Sequence, residues 1–334
     1  MRPRVSVLLP VRDARETLEP CLRSLLRQTE PDWECVLVDD GSTDGSFGEA
    51  RRIVEGDPRF RLVRTARRGI VPALQRGLEH VCGEWVARMD ADDLAHRRRL
   101  ELQLAFVERH RDLAAVGSHV RFFPRKGLGP GLREYERWLR SIATPEDVRR
   151  EAFVECPVPH PTLFVRADVL REFGYRDCGW PEDYDLVLRL LEAGLRIGVV
   201  PRRLLAWRHH EKRTSLHEAT YDVRRFVECK AYFLARGFLS RTSRYILCGH
   251  GSTGKSLRKA LRRYGKEAAY ILDLHPRRIG KTVDGAPVVP PTTLDSLPAL
   301  PIVVSVARSG PRAEARAWLE KSGRTELVHF VCAA

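Results

Sequence analysis

Carboxylates gather at three places in the first hundred residues of this sequence. Asp39 and Asp40 follow "ECVLV", Asp44 lies in the adjoining "DDGSTDGS" turn, and Asp90, Asp92 and Asp93 follow "EWVARM". Clustered like charges repel, so several of them in one cleft imply a compensating cation or a ligand that donates hydrogen bonds. An oxygen-only ligand set of this kind suits Mg²⁺ or Mn²⁺ bound together with a diphosphate. Asp and Gly also build turns, and "DDGSTDGS" alone is compatible with that role. Two aspartate-rich turns at equivalent strand ends favour chemistry.

Two further stretches have chemical potential. "GHGSTGKS" reads as a P-loop through Gly249, Gly254, Lys255 and Ser256, and equally as a dinucleotide turn through Gly249, Gly251 and Gly254. Its context, "RYILCGHGSTGKSLRKALRRYGKEAAYILDLHPRRIG", is strand, glycine turn, basic helix and a second strand ending at Asp273, 19 residues past Gly254. An acidic residue at about that distance is where a dinucleotide fold grips a ribose hydroxyl. A P-loop NTPase would need a later strand ending in an Asp for magnesium, and "PIVVSVARSG" has none. Gly249, Gly251, Gly254, Lys255 and Asp273 therefore form a candidate second nucleotide site, within a segment that could instead serve only to hold a partner or a second subunit. The third stretch, "PEDYDLVLRLLEAG", opens a helix with Glu182 and Asp183, where the positive end of the helix dipole favours ionised carboxylates. Such a pair is suited to capping as well as to proton transfer.

The elements that must position these residues alternate between β and α. "RVSVLLP" and "ECVLV" read as buried parallel strands, "ARETLEPCLRSLLRQ" between them has helical apolar spacing, and "RFRLV", "IVPALQRGLEHV" and "EWVARM" continue the pattern. The fold class is α/β, a doubly wound sheet whose ligands sit beyond the carboxyl ends of the strands. Those ends are where "PVRD", "DDGSTDGS" and "DADD" fall. Further along, "AAVGSHVRFF" predicts a strand, "PRKGLGPG" a loop, residues 131–152 an Arg-rich helical stretch, and "TLFVR" and "RIGVV" two more strands. A polar segment at 208–218, a helix at 219–237 and a fresh strand at "RYILCG" come next. The expected division is a doubly wound α/β domain at 1–215, a helical linker at 216–240 and a small Rossmann-like α/β domain at 241–334.

A chain of 334 residues with 43% hydrophobic content can bury a sizeable core, and no window approaches the about 20 apolar residues that span a bilayer. The eight cysteines are scattered, with no Cys-x-x-Cys pair, which predicts that most are core thiols in a reducing compartment. The net charge of +14 is concentrated late: residues 241–334 hold 16 Lys+Arg against 7 Asp+Glu. That surface lacks the aromatic interleaving of nucleic-acid modules, so no nucleic-acid partner is expected.

Together these segments resemble the family 2 glycosyltransferases, which have the nucleotide-sugar-binding fold called GT-A. "VSVLLPVRDARETLEPCLRSLLRQT" is similar to their opening strand and helix, "WECVLVDDGSTDGS" to their nucleobase-binding segment, and "RRGIVPALQRGLEHVCGEWVARMDADD" to the run into their Asp-x-Asp metal site. "HPTLFVR" and "PEDYDLVLRLLEAG" resemble the segments that precede and contain their catalytic base. The likeness covers roughly residues 3–215, four motifs in the same order.

The resemblance implies that Asp39 and Asp40 contact base and ribose, with Pro10, Val11, Arg12 and Gly69 in the same donor pocket. It puts Asp90 at the ribose-diphosphate side, Asp92 as metal ligand, Asp93 in support, and Arg208 and His210 of "WRHHEKRTS" as phosphate or metal contacts. Asp183 would be the general base, Glu182 would position the acceptor, and His160 would lie near the acceptor or merely begin a strand. The implied activity is inverting, metal-dependent transfer of a sugar from a nucleotide donor to a saccharide or lipid-linked acceptor, in the cytoplasm, with any membrane contact peripheral at the inner face. Two departures bear on the donor: Val11, Arg12 and Asp13 stand where many members have an aromatic-Asn pair, and Gln75 where they often have Asn. A nucleotidyltransferase also uses a doubly wound sheet and paired aspartates, but "PVRDARETL" lacks its glycine-rich loop. A non-catalytic nucleotide-sensing module built on residues 241–334 is the alternative from another class.

Overall fold

The computed structural model describes residues 2–210 and 218–334, in two compact units. Described residues 2–148, 157–178 and 189–210 form the first, and 149–156, 179–188 and 218–334 the second. The expected boundary at 215 falls among residues 211–217, outside the described residues.

In the first unit, β1 (Val5–Val11), β2 (Trp33–Asp40), β3 (Phe60–Thr65) and β4 (Trp85–Arg88) alternate with α1 (Arg15–Leu26), α2 (Ser46–Ile53) and α3 (Ile70–Leu78). β1 is buried along its whole length because sheet neighbours flank it and helices cover both its faces. Alternate residues point opposite ways: Val5, Val7 and Leu9 join the cluster that takes up Leu18, Cys21, Leu22 and Leu25, spaced to line one stripe of α1. Leu8 and Val38 face α3 across the other side, so closely that a Cβ on Gly77 would lie 2.2 Å from the Leu8 Cδ1.

The elements that follow in the chain are β5 (Leu94–Ala95), α4 (Arg99–Arg109), β6 (Leu113–Phe123), α5 (Pro130–Ser141), α6 (Pro145–Glu151), β7 (Phe164–Arg166), α7 (Ala167–Phe173), α8 (Glu182–Glu192) and β8 (Arg196–Arg208), of which α6 and α8 have residues in both units. Their strands complete an eight-stranded sheet in the order β3-β2-β1-β4-β7-β6-β8-β5. Strands β3, β2, β1 and β4 run parallel, in register from Val11↔Asp39 on one side of β1 to Leu8↔Arg88 on the other. Connections from β1 and from β4 leave in opposite directions, and this reversal opens a crevice at their carboxyl ends.

Two elements differ from the sequence reading. The helical stretch at 131–152 is broken into α5 and α6, because Thr144 and Asp147 cap a new start: the Asp147 amide donates to the Thr144 Oγ1 (3.1 Å) and the Thr144 amide to the Asp147 Oδ2 (2.9 Å), with Pro145 in the first turn. The strand expected at "RIGVV" runs on to Arg208, since its second half pairs with β6 from Leu205↔Val120 to Arg208↔Phe123 and with β5 at Ala206↔Leu94.

The second unit contains α9 (Val223–Arg236), β9 (Arg244–Cys248), α10 (Ser252–Arg262), β10 (Glu267–Leu272), β11 (Thr282–Val283), β12 (Ala286–Val289), β13 (Ile302–Val304), α11 (Ser309–Lys321) and β14 (Phe330–Cys332). Its sheet has the order β11-β12-β10-β9-β13-β14, and all strands but β11 are parallel. Tyr245 and Leu247 pack with α9 and α10, whereas Ile246 and Cys248 pack with Leu319 of α11, so helices cover both faces. Among the described residues no helix is long and apolar enough to cross a membrane, and the eight cysteines form no disulfide.

The contact at Gly77 sets an expectation. Gly77→Ala should lower unfolding stability by about 1–3 kcal/mol, because the added methyl displaces a buried Leu8 in a filled core. Denaturant titration of both proteins checks this, and an unchanged midpoint would mean that α3 does not sit against β1 as described.

Candidate active site

The crevice at the carboxyl ends of β1, β2 and β4 is walled by three loops that hold one another in place. Asp40, at the end of β2, is buried and accepts from the amides of Arg68 (2.8 Å) and Gly69 (2.9 Å), fixing the entry to α3. Gly41 follows with φ +66°, and a Cβ there would lie 2.7 Å from the Arg67 nitrogen, so these loops touch backbone to backbone. Asp44 accepts from the amides of Arg15 (2.9 Å) and Ser46 (2.9 Å), the first residues of α1 and α2. Burial raises its pKa, but the bonds from Ser46 and Arg15 outweigh that and hold the carboxyl below its usual value. Asp44, read from the sequence as one of the clustered carboxylates, thus works as a shared cap.

Asp39 is different. It is fully buried, its Oδ2 accepts from the Ser42 amide (3.3 Å) and pairs with Arg64 Nε (3.3 Å), and its Oδ1 has no hydrogen-bond partner. A buried carboxyl oxygen left without a donor is costly, so this position is suited to a ligand N–H or O–H. Of the other residues assigned to this pocket, Pro10 and Val11 are buried within β1, Val11 in the core, while Arg12 and Gly69 reach the surface.

Past the end of β4, Asp90, Asp92 and Asp93 bring carboxylate oxygens within 4.8 Å of one another. Cations surround them. Arg88 is buried and forms an ion pair with Asp90. The Arg208 amide donates to the Asp93 Oδ1 (2.7 Å), its Nε to the Asp92 carbonyl (2.6 Å), and the guanidinium lies 4.5 Å from the Phe123 ring centre. His210 Nε2 is 2.9 Å from the Asp92 Oδ2. The structure therefore brings Asp90, Asp92, Asp93, Arg208 and His210 together, although the last two follow the aspartates by more than a hundred residues. A hard divalent cation fits this donor set: the carboxylates supply oxygens at close quarters, and a positive charge relieves their mutual repulsion.

Several supporting residues escaped the sequence reading. Arg99 is fully buried beneath the aspartate loop and donates to the Arg88 carbonyl (2.7 Å) and the Gln103 Oε1 (3.0 Å). Burial pulls its pKa down to about 10, with Asp93 opposing that fall. The Cys21 thiol of α1 contacts the Asp90 carbonyl (3.3 Å), and burial followed by Asp93 pushes its pKa well up, so it stays a neutral thiol. Gln28 ties the following segment by accepting from the Leu100 amide (3.1 Å) and donating to the His96 carbonyl (2.9 Å). The available signal was Arg88, a charge inside the otherwise apolar "WVARM".

Glu182 and Asp183 belong to the second unit, at the start of α8. Glu182 is buried and accepts from the Tyr221 hydroxyl (2.8 Å), Tyr184 donates to the Ala152 carbonyl (2.7 Å), and Asp185 accepts from Trp180 Nε1 (3.1 Å). Between residues 181 and 190 Asp183 alone is not buried, its Oδ1 accepting from the Tyr184 amide (2.7 Å). His160, in the first unit, is buried in a short 3-10 turn rather than opening a strand, with Nε2 3.1 Å from the Tyr175 hydroxyl.

Comparison with known proteins agrees with this geometry. The glycosyl transferase family 2 profile matches residues 6–174. "Putative glycosyltransferase EpsE" of Bacillus subtilis is 34% identical over 200 residues, covering 58% of this chain and 69% of its own. "Amylovoran biosynthesis glycosyltransferase AmsE" of Erwinia amylovora is 28% identical over 250 residues, covering 69% and 91%. Among solved structures, the mannosyltransferase PcManGT of Pyrobaculum calidifontis, in complex with GDP-Man and Mn²⁺, has a TM-score of 0.55 at 22% identity, over 79% of this chain and 70% of its own. S. aureus TarS 1-349 in complex with UDP-GlcNAc has a TM-score of 0.53 at 16% identity, over 78% and 72%. These likenesses establish the GT-A fold of the chain. With its profile, its relatives and its aspartate-lined crevice in agreement, the chain is a glycosyltransferase and belongs to glycosyltransferase family 2.

Proposed function

We propose that this enzyme moves a sugar from a nucleotide-sugar donor to a hydroxyl of a saccharide or lipid-linked acceptor, with inversion at the anomeric carbon. The observation that carries the reading is the crevice itself, where a buried Asp39 oxygen without a partner at the end of β2 and the carboxylates of Asp90, Asp92 and Asp93 past the end of β4 lie on the two parallel strands that flank β1. The first supplies an acceptor for a nucleobase N–H, and the second the donor set for a diphosphate-bound cation. The GDP-Man and Mn²⁺ of PcManGT and the UDP-GlcNAc of TarS support a donor of this class. Synthesis of a polysaccharide is supported by AmsE.

In this reading Asp39 receives the base and Asp40 holds the Arg68–Gly69 turn beside it. Pro10, Val11 and Arg12 form the edge of the pocket at the end of β1, and Asp90 faces the ribose and diphosphate. Asp92, with Asp90 and His210, would hold Mg²⁺ or Mn²⁺, which when bound supplies positive charge to the departing diphosphate. Arg208 keeps the loop in shape through the Asp92 carbonyl and the Asp93 carboxylate. Asp183 takes the proton of the incoming hydroxyl, a role supported by its partial exposure among buried neighbours at a helix N-terminus, and Glu182 positions the acceptor. One base without a second nucleophile suits a single displacement, hence inversion. A lipid-linked acceptor would bring the chain to the cytoplasmic face of a membrane.

The test is transfer from a panel of UDP-, GDP-, dTDP- and CMP-sugars with Mn²⁺, Mg²⁺ or EDTA. One donor should be turned over, and EDTA should abolish turnover. Asp92→Ala should lower kcat/KM about 100-fold or more and remove the dependence on added metal; a variant as active and as metal-dependent as the natural chain would refute the ligand assignment. Asp183→Asn should keep donor affinity, measured calorimetrically, while transfer falls by about 10²–10⁴-fold; normal turnover would exclude it as base. For Asp39→Ala the loss should appear mainly in donor KM, with about tenfold weaker binding. An unchanged KM would place the base elsewhere.

A further inference from the structure

The glycine loop of the second unit holds none of the residues assigned to that chemistry, yet it has the features of a ligand site. It joins β9 to α10, and Gly249, Gly251 and Gly254 have three different jobs. Gly249 turns sharply at φ +91°, where a Cβ would lie 2.9 Å from the Ser305 carbonyl oxygen. Gly254 lets the first turn of α10 lie against the loop, since a Cβ there would be 2.3 Å from the Gly249 oxygen. Gly251 is exposed, caps α10 without any side-chain bond, and a Cβ on it would meet nothing within 4 Å. A tight turn, a close helix contact and an open approach are the requirements of a loop that cradles a phosphate at a helix N-terminus.

Independent features point to the same ligand. Ser305, just past β13, is 3% exposed, and its Oγ is buried without a hydrogen-bond partner. Its Cβ lies 3.6 Å from the place a Gly254 Cβ would take, which sets the Ser305 side chain against the loop. β9 and β13 are adjacent in the sheet, and connections from them reverse direction there, the position where parallel α/β sheets hold ligands. A buried His250 is held below its usual pKa first by burial and then by Arg258, Lys255 and Arg278, so positive charge converges on the loop. On the other side, Asp273 directly follows β10. It accepts from the His275 amide (2.8 Å) and from Arg278 (2.9 Å), which also reaches the His250 carbonyl (3.2 Å), tying the acid to the rim of the loop. A magnesium-binding acid of the kind an NTPase needs is absent from the end of β13, where Val304 is followed by Ser305.

We propose that the second unit binds a ribonucleotide separately from the catalytic crevice, with phosphate on the α10 N-terminus between Lys255 and the Ser305 hydroxyl and a ribose hydroxyl on Asp273. The site has no group suited to cleaving the nucleotide, so it binds without turnover.

The experiment is calorimetric titration of the full chain in EDTA with ADP, UDP, GDP, CDP and NAD, their 2′-deoxy counterparts where these exist, and pyrophosphate. The same titrations are run on an Asp39→Ala, Asp92→Ala double variant that silences the first unit. One ribonucleotide should bind both proteins with equal Kd. Gly251→Asp, which occupies open space and should leave the melting temperature in place, should weaken that binding at least about tenfold by setting a carboxylate against the phosphate; Lys255→Glu is the second variant should the first not fold. Asp273→Asn should erase the preference for ribose over deoxyribose. Absence of binding at millimolar nucleotide, loss of binding in the double variant, full binding by both Gly251→Asp and Lys255→Glu, or pyrophosphate binding as tightly as any nucleotide would each overturn the assignment. None of these outcomes depends on glycosyl transfer, so this proposal and the donor reading of the first unit fail separately.

Discussion

Repulsion between Asp90, Asp92 and Asp93 is the constraint around which the first unit is arranged. Carboxylates with oxygens within 4.8 Å of one another resist sharing a site unless positive charge and hydrogen bonds surround them. The fold supplies both from below and from the side. Arg88 and Arg99 are buried in the sheet and in α4, where leaving a guanidinium dry is itself costly, and each offsets the burden of the other kind of charge. Arg208 and His210 arrive along the late strand β8, which is why that strand has to run past its apolar half. The long return of the chain to the sheet thus has an electrostatic reason beyond the burial of surface.

Much of this was legible beforehand because it is local. Apolar runs of strand length, helical spacing in α1 and acidic turns after β2 and β4 are properties of short windows, and they located the crevice. What was not legible depends on partners distant in the chain. The extension of β8 to Arg208 is decided by β5 and β6, and the burial of Arg99 by Gln103 and the Arg88 carbonyl. The break before α6 was local and readable, since Thr144, Pro145 and Asp147 form a start signal within the stretch taken as continuous helix.

The aspartates show how residue type underdetermines role. Asp39, Asp40 and Asp44 occur within six positions, yet each makes different contacts. Asp40 has both oxygens on backbone amides, Asp44 caps helices, and Asp39 keeps an oxygen without a partner. Counting acids in a motif finds the neighbourhood, while hydrogen-bond accounting separates the side chains that build the loop from the one that keeps an oxygen without a donor.

Asp44 has a consequence for motion. Because one carboxylate holds the first amides of both α1 and α2, the turn after β1 and the turn after β2 share a fastening, and neither can open alone without stranding the other's donors. The rim of the crevice therefore behaves as a cooperative patch: its amides should exchange with solvent as a group, at one opening free energy, while the strands beneath stay closed. A donor would then meet a mouth that breathes as one piece.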